Sequence, residues 1–501
     1  MKLAAMHGRG TADKGWLVST IGLVRELETL VGDDHVIASP SAGSSYLSDF
    51  RGLFAGRAAA VVKPATVEQV ADVVRLCQSR GHAIIPHGGN TGLCGGTAPS
   101  SAGGDVILCL ERMTRVRAQD VVNNTITVEA GCILHSLQEH VSGLDRYFPL
   151  SLGAEGSCQI GGNIATNAGG HSVLRYGNMR DLVLGLEAVL PDGSIFNDLR
   201  GLRKNNTGYD LKQLFIGSEG TLGIVTAATL KLFPARRQIE TAFVALRSLD
   251  DLMEVYQRAQ KHADEFLSAF EMVPRIGLQM AIDHVPEVQD PLDEAYPFYA
   301  LIELSSSQIA WPLRPVLDGF LEALLVSGAI RDGIISSSLR EAQSFWRIRE
   351  ACVEAQRLAG PSFKHDVSMP IDRIPAFIRD ATWAIERRFP AVQVVAFGHI
   401  GDGNIHFNVC CGREQEETFL TLAGPVEDIV YEAVASVGGS FSAEHGIGLL
   451  KRDALLRYTS PDALRMMVDI KGLIDPNNIL NPGKVLSPAT VNMARDRKVF
   501  A

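Results

Sequence analysis

The chain has 501 residues, of which 46% are hydrophobic and 21% are charged, and its formal net charge is −10 at pH 7. This length predicts two or three domains with the composition of a globular protein in water. The acidic balance argues against nucleic-acid binding as the main function. Eight cysteines are scattered without a C-x-x-C pair, which predicts reduced thiols. Because the sequence shows no signal-peptide pattern and no apolar run long enough to span a membrane, we expect a cytoplasmic protein without a transmembrane segment.

Residues 1–56 form the first predicted segment. Apolar residues recur at helical spacing over 16–31, and a connection rich in serine and glycine follows over 40–56. We expect this helical segment to pack on the unit that follows it.

A compact unit is predicted over residues 57–235, and its first glycine-rich loop runs over 86–96. Before the loop, Thr66 begins a predicted helix with a capping box, Gly81 ends it, and a short strand covers 82–85. Such a loop lets backbone amides converge, most often on a phosphate. It matches neither the Walker nor the Rossmann pattern, and a flexible loop without a ligand is the alternative.

Two further glycine-rich stretches lie at 152–170 and 217–225. Their small residues suit close approach to a flat ligand, with Ser157, Asn163 and Thr166 available for hydrogen bonds. Strands are predicted around them at 106–110, 125–129, 182–190 and 224–232. These patterns predict an α+β unit whose glycine loops bind one large cofactor.

Residues 236–450 are predicted to form a second domain, followed by a C-terminal helical segment over 451–501. Strands at 239–246 and 299–304 alternate with helices at 249–266 and 316–327, which predicts an antiparallel sheet backed by helices. A further helix is predicted over 447–456.

A hairpin near residue 400 carries two histidines, His399 and His406. The turn over 401–404 separates a strand at 392–397 from a returning strand at 405–410, and His406 and Asn408 share one face of the latter. Paired histidines in this setting are candidate metal ligands, and satisfied histidines near a hairpin are the alternative.

Several motifs resemble a known family. PHGGNTG at 86–92, GSCQIGGNIATNAGG at 156–170, KNNTGYDL at 204–211 and GSEGTLG at 217–223 resemble the FAD-linked oxidases with a vanillyl-alcohol-oxidase (PCMH) type flavin domain. SAEHGIG at 442–448 and NILNPGK at 478–484 are similar to their D-2-hydroxyacid dehydrogenase branch. Within that branch, 205–223 and KHDVSMP at 364–370 are most similar to the D-2-hydroxyglutarate dehydrogenases.

This resemblance covers residues 48–486 and implies an α+β fold. It implies an FAD-binding domain over 57–235, an α+β substrate domain with an antiparallel sheet, and a C-terminal segment that returns to the FAD domain.

The resemblance implies FAD bound without a covalent link. Relatives with covalent flavin place a histidine directly after the glycine pair of the first loop, where this chain has Asn90. The residues assigned to FAD are Pro86, Gly88, Gly89, Asn90, Thr91, Gly92, Leu93, Gly156, Ser157, Gly161, Gly162, Asn163, Ala165, Thr166, Glu219, Gly220, Ile224 and Asn481.

The resemblance also assigns a divalent metal to His399, His406 and Glu444. Zinc is expected, and the ligand types also permit manganese or cobalt. The substrate's 2-hydroxyl and carboxylate would bind this metal, His445 would take the hydroxyl proton as general base, and Asn408 would orient the carboxylate. A hydride would pass from C2 to FAD.

Substrate choice is implied by Arg349 and Lys364, which fall where the family binds the substrate's distal carboxylate. Two solvated surface cations are the alternative. Val353 stands where the D-2-hydroxyglutarate enzymes have a threonine, so a hydroxyl contact is lost. The expected reaction is oxidation of a D-2-hydroxy acid to the 2-oxo acid, with D-2-hydroxyglutarate as the first candidate and D-malate, D-lactate or glycolate open.

The expected electron acceptor is an electron-transferring flavoprotein or a quinone, because no Rossmann fingerprint for NAD is present. A homodimer is a hypothesis that the sequence does not decide. A metal-independent FAD oxidase of sugars or alcohols and a flavin-binding subunit without catalysis remain alternatives, and a hydrolytic zinc enzyme ranks last because it leaves the glycine loops unexplained.

Overall fold

The computed structural model describes residues 12–41, 43–263 and 265–495. The parts of the predicted terminal segments at 1–11 and 496–501 lie outside the described residues. The elements confirm the expectation of an α+β fold.

The first part of the chain forms short helices and three sheets. Its elements, in chain order, are α1 (Ala12–Val31), β1 (Val36–Ala38), β2 (Ala58–Val62), α2 (Val67–Arg80), β3 (Ile84–His87), β4 (Asp105–Cys109), β5 (Val116–Asp120), β6 (Thr125–Glu129), α3 (Leu134–Ser142), β7 (Arg146–Tyr147), α4 (Ile160–Ala165), α5 (Val173–Tyr176), α6 (Met179–Leu182), β8 (Val183–Val189), β9 (Ile195–Asp198), β10 (Ile224–Lys231) and β11 (Phe233–Pro234).

The first sheet has the order β1-β2-β4-β3 and is parallel except for the antiparallel strand β1. Every residue of β2 and β4 is buried, as expected for strands covered on both faces. Helix α2 begins as predicted, because the Thr66 hydroxyl accepts from Gln69 N, and it ends at Gly81 in the left-handed conformation. The loop after β3 is therefore held at the carboxyl end of a buried strand.

The second sheet is antiparallel, with the order β5-β6-β10-β8-β9, and its predicted strands are confirmed within two residues. One hydrophobic core joins this sheet to α2, to the first sheet and to α1 through Leu23 and Leu27.

The second part of the chain forms a seven-stranded sheet between helices. Its elements are β12 (Gln238–Leu246), α7 (Leu249–Ala263), β13 (Leu267–Pro274), α8 (Arg275–His284), β14 (Phe298–Ser306), α9 (Leu313–Ser327), β15 (Asp332–Ile335), α10 (Leu339–Ala359), β16 (Ser362–Ser368), α11 (Ile374–Arg388), β17 (Gln393–His399), β18 (Asn404–Cys410), α12 (Glu416–Leu420) and α13 (Ala423–Ser436).

All pairings in this sheet are antiparallel, in the order β15-β12-β14-β13-β17-β18-β16, which confirms the predicted architecture. Because side chains alternate along a strand, the sheet has two distinct faces. One face packs on α7, α9, α11 and α13. The other packs on α8 and α10 through residues such as Phe345, Ile348 and Phe397. The candidate site lies on this second face.

The last helices are α14 (Arg452–Tyr458), α15 (Pro461–Ile474) and α16 (Pro488–Arg495). The predicted helix start at residue 447 is wrong, since α14 begins at Arg452. Gly446 and Gly448 have φ values of +75° and +51°, so the backbone turns there and does not enter a helix. After α15 the chain returns to the first sheet, where Ile84 N donates to Ile479 O at 2.7 Å.

All eight cysteines are free, as predicted, and all are buried. Within the described ranges, no helix combines the length and the apolar character needed to cross a membrane.

Candidate functional site

The first two glycine loops are in direct contact. A Cβ on Gly89 would lie 2.1 Å from Ser157 O, so only glycine permits this approach. Asn90 has a φ of +52°, and its side-chain amide donates to the carbonyls of Ser45 and Ser48, both at 3.0 Å. The loop is therefore tied to the second glycine stretch and to the segment before β2.

These loops border space that protein atoms do not fill. At Gly92, Gly156 and Gly162 a Cβ would meet no atom within 4 Å. Two buried acceptors beside the loops, Gln159 Oε1 and Asn481 Oδ1, have no hydrogen-bond partner among the described residues. An open cradle lined by glycine with unpaired polar atoms fits a large cofactor such as FAD.

Glu219 and Asn481 join the loops to each other. The Glu219 carboxylate accepts from Ile447 N at 2.7 Å and from Gly448 N at 2.8 Å, so it holds the turn after residue 445. Asn481 Nδ2 donates to Gly96 O at 3.0 Å and to Glu219 O at 2.8 Å. The Glu219 carboxylate therefore has protein partners, and the remaining acceptor of Asn481 is the group left for a ligand.

Other predicted FAD residues make internal contacts. Asn163 Nδ2 donates to Cys158 Sγ at 3.5 Å, and Thr166 Oγ1 donates to Gly162 O at 3.0 Å. Gly161 N donates to Ala130 O at 2.7 Å. Pro86 lies 3.0 Å from the Cβ position of Gly220. The structure brings these residues to the same cradle.

The remaining predicted FAD residues are located by their segments. Ser157 and Ala165 lie in the second glycine-rich stretch, Thr91 and Leu93 lie in the first glycine-rich loop, and Ile224 begins β10.

The predicted polar residues share one face of the large sheet. In the register of β16 and β18, Lys364 pairs with Asn408 and Asp366 pairs with His406. His406 pairs with Phe397 on β17, and His399 pairs with Glu271 on β13. Directly paired residues project to the same side of a sheet, so this whole set faces α10. The predicted common face of His406 and Asn408 is confirmed.

The three predicted metal ligands converge. Ligand atoms of His399, His406 and Glu444 all lie within 4.8 Å of one another. His399 Nδ1 lies 2.6 Å from Glu271 Oε1, which leaves its Nε2 for a metal. Two imidazoles and one carboxylate with open positions form a donor set that fits zinc.

The charges around this cluster favour a bound cation. Burial, together with the carboxylates of Asp366 and Asp402 and against the lowering by His399, raises the pKa of Glu444 to about 7. Burial also raises the pKa of Asp402 to about 6. A divalent cation would relieve this crowding of carboxyl groups.

His445 is placed by Asp366. Asp366 is 1% exposed, and its Oδ2 accepts from Glu444 N at 2.8 Å and from His445 N at 2.9 Å. Its Oδ1 accepts from Asn404 Nδ2 at 2.8 Å. Burial lowers the pKa of His445, so its imidazole is held neutral and able to accept a proton.

Arg349 is 3% exposed, which excludes a solvated surface cation at this position. Its Nε donates to Glu271 Oε2 at 2.7 Å. Burial, with the Arg51 charge as a second cause, lowers the pKa of Lys364. Val353 lies one turn after Arg349 and is 44% exposed. Asn408 donates through Nδ2 to Gln356 Oε1 at 2.8 Å.

The sequence interpretation assigned no role to Glu271, Asp366, Arg51 or His171. Glu271 is the one charged residue in the buried strand β13, and that isolation was a usable signal. Asp366 stood inside a quoted motif. Arg51 and His171 carry no local signal, because their positions result from tertiary packing.

The glycine loops and the cluster of His399, His406 and Glu444 meet at residues 169–171. A Cβ on Gly169 would lie 2.9 Å from Glu444 Oε1. The ring of His171 lies 5.5 Å from that of His399 and 4.7 Å from that of Trp346. The candidate metal cluster, His399, His406 and Glu444, is thus in contact with the loop that lines the candidate cofactor cradle.

Comparison with known proteins supports the fold. Residues 58–198 match the FAD binding domain family, and residues 235–485 match the C-terminal domain of the FAD linked oxidases. The structure of p-cresol methylhydroxylase superposes with a TM-score of 0.71 at 16% identity, covering 94% of this chain and 97% of that one. This likeness shows the shared fold.

Two curated relatives match most of the chain. The mitochondrial D-2-hydroxyglutarate dehydrogenase of Arabidopsis thaliana is 37% identical over 90% of this chain and 79% of its own. That of Bos taurus is 41% identical over 84% of this chain and 75% of its own. Both names place those enzymes in mitochondria, so the predicted cytoplasmic location is wrong. The expectation rested on the lack of a signal-peptide pattern and of a long apolar run, and neither feature separates the cytoplasm from the mitochondrion.

The chain matches both FAD-oxidase domains and is 37% identical to a curated dehydrogenase over 90% of its length. These matches exclude two of the alternatives, a non-catalytic flavin-binding subunit and a hydrolytic zinc enzyme. The chain belongs to the family of FAD-dependent D-2-hydroxyglutarate dehydrogenases, oxidoreductases that act on CH–OH donors.

Proposed function

We propose that the protein oxidises a D-2-hydroxy acid, D-2-hydroxyglutarate first, to the 2-oxo acid with FAD and a divalent metal, zinc. The observation that carries this proposal is the convergence of His399, His406 and Glu444 beside His445, in contact with the cradle loop at Gly169. When bound, the metal would acidify the substrate hydroxyl and FAD would accept a hydride.

His445 is the general base in this proposal. Asp366 fixes the backbone of Glu444 and His445 through two hydrogen bonds, so the metal ligand and the base keep a constant relative position. The neutral imidazole accepts the proton of the substrate's 2-hydroxyl.

The basic side chains select the substrate's carboxylates. Arg349 and Lys364 bind the distal carboxylate. Lys364 is a desolvated cation on the sheet face that carries His406, and Arg349 is a buried cation on α10, the helix that packs on this face. Asn408 orients the proximal carboxylate and is held by Gln356. Because Val353 offers no hydroxyl, D-malate and D-lactate stay in the candidate set behind D-2-hydroxyglutarate.

FAD is held without a covalent bond. The first loop places Asn90 after the glycine pair, and its amide is already engaged by Ser45 and Ser48. An amide is not a nucleophile that forms a flavin link. The acceptor of the electrons is an electron-transferring flavoprotein or a quinone.

The test is the variant His445→Asn. We expect it to retain FAD and zinc and to lose at least 100-fold in the rate of anaerobic flavin reduction by D-2-hydroxyglutarate, because general-base catalysis contributes roughly 10²–10⁴. Stopped-flow absorbance at the flavin band, with metal analysis of the same sample, measures both. Reduction at the wild-type rate would remove His445 from the proposed role.

A further inference from the structure

We propose that Glu271 is a positioning residue that couples the metal ligand His399 to the substrate-binding Arg349, so that metal affinity and preference for a diacid depend on one carboxylate. This inference rests on the proposed function and adds to it a residue and a link between two parts of the site.

Glu271 contacts both groups with separate oxygens. It lies on β13, is 1% exposed and pairs in register with His399. Oε1 lies 2.6 Å from His399 Nδ1, and Oε2 accepts from Arg349 Nε at 2.7 Å. One rigid strand position therefore holds the imidazole and the guanidinium together.

The contact with His399 sets its orientation. A carboxylate on Nδ1 fixes the tautomer in which Nε2 carries the lone pair, and it increases the basicity of the ring. Such outer partners of metal ligands contribute roughly 10–100-fold to metal affinity.

The contact with Arg349 fixes the plane of its guanidinium. With Nε on Glu271 and Cζ 4.7 Å from the centre of the Phe397 ring, the group cannot rotate toward solvent. Among the described residues, Glu271 is the one hydrogen-bond acceptor that the structure gives this guanidinium. The terminal nitrogens are thereby left for a substrate carboxylate.

The negative charge, and not only the shape, is required for both contacts. Each contact uses one carboxylate oxygen, and a glutamine has only one acceptor oxygen, so its NH2 group would face the N–H of either His399 or Arg349. A neutral amide in its place would leave the buried Arg349 without a counter-charge. The two contacts are thus expected to fail together.

The experiment compares Glu271→Gln with Glu129→Gln in the FAD-loaded full chain. Glu129 is a matched control, because it is a fully buried strand glutamate held by Arg115 and Arg117 away from the metal cluster. Two quantities are measured: the zinc dissociation constant by competition with a chelator, and the ratio of kcat/KM for D-2-hydroxyglutarate to that for D-lactate.

For Glu271→Gln we expect zinc binding roughly 10–100-fold weaker. We also expect the ratio of kcat/KM for D-2-hydroxyglutarate to that for D-lactate, measured at saturating zinc, to be at least tenfold lower. Glu129→Gln should leave both quantities at wild-type values. Unchanged zinc affinity would overturn the inference. An equal loss for the two acids would overturn it too, since it would show a metal contact without coupling to Arg349.

The double variant Glu271→Gln with Arg349→Gln keeps the test valid if the single variant does not fold, because it removes both buried charges. The ratio of kcat/KM for D-2-hydroxyglutarate to that for D-lactate should be the same in this double variant as in Arg349→Gln alone. A lower ratio in the double variant would contradict the claim that Glu271 acts on substrate preference through Arg349. A wild-type protein that binds no zinc, or whose flavin no 2-hydroxy acid reduces, would instead refute the proposed function.

Discussion

At the residue scale, Gly169 shows how closely the two halves of the site approach. Its Cβ position lies 2.9 Å from Glu444 Oε1 and 3.1 Å from Val173 Cγ2. Both atoms are the ends of side chains, so an alanine there displaces them and not the backbone. The carboxylate that we assign to the metal is the group that must shift most.

We therefore expect Gly169→Ala to fold normally and to bind zinc roughly tenfold more weakly, as changes beside metal ligands do. Chelator competition measures the affinity, and circular dichroism checks the fold. Gly153→Ala is the matched control, because no atom lies within 4 Å of its Cβ position. Equal zinc affinity in the two variants would place Glu444 outside the metal set.

Residue types and spacing predicted the hairpin that carries His399 and His406. They also predicted the common face of His406 and Asn408, since alternation along a strand is a local property. The contact between Gly169 and Glu444 joins positions 275 apart in sequence, so no local pattern could reveal it. Glu271 could have been suspected because it is the one charged residue of its buried strand, but its bridge to His399 and Arg349 depends on the order of strands in the sheet.

At the element scale, the return of the chain over 479–484 completes the edge of the first sheet. Asn481 N donates to Ile84 O at 2.8 Å, and this segment brings Lys484 into the interior at 4% exposure. Burial lowers the pKa of Lys484 from 10.5 to about 8, although Asp105 acts in the opposite direction. Lys484 lies in the turn that ends this segment, and a buried lysine is costly while it is charged.

This burial predicts a specific pH dependence. Between pH 8 and 10.5 the unfolded chain holds the lysine proton and the folded protein has released it, so stability rises with pH across this window. Lys484→Met has no titrating group at this position and therefore lacks this rise of stability with pH. We expect the variant to be the more stable protein at pH 7.5, and its advantage to shrink by up to about 3 kcal/mol by pH 10.5. Urea unfolding of both proteins at equal FAD concentration measures this, and a constant difference would contradict it.

The predicted strands came from β-branched runs, and one helix could be delimited from its caps at Thr66 and Gly81. The segment 446–451 was not predicted correctly, because its apolar spacing is helical while its backbone is held by Glu219, a residue more than two hundred positions away. Tertiary hydrogen bonds override local propensity there.

At the scale of the whole molecule, the account depends on the contact between two folded halves. Arg175 Nη1 donates to Ser305 O at 2.5 Å and to Ser305 Oγ at 3.1 Å, and Leu449 N donates to Cys94 O at 2.7 Å. These bonds fix the glycine-loop half against the large sheet. The sequence predicted each half, but their relative placement emerges only from the assembled fold.

The central claim is that one site combines FAD, a divalent metal and a D-2-hydroxy acid. The direct measurement is anaerobic bleaching of the flavin by D-2-hydroxyglutarate, its L enantiomer, D-malate and D-lactate, in zinc-loaded protein and after verified zinc removal. We predict bleaching by D acids only, fastest with D-2-hydroxyglutarate, lost on zinc removal with FAD retained, and restored by added zinc. Bleaching at an unchanged rate in the zinc-free protein, or by the L acid equally well, would contradict the account.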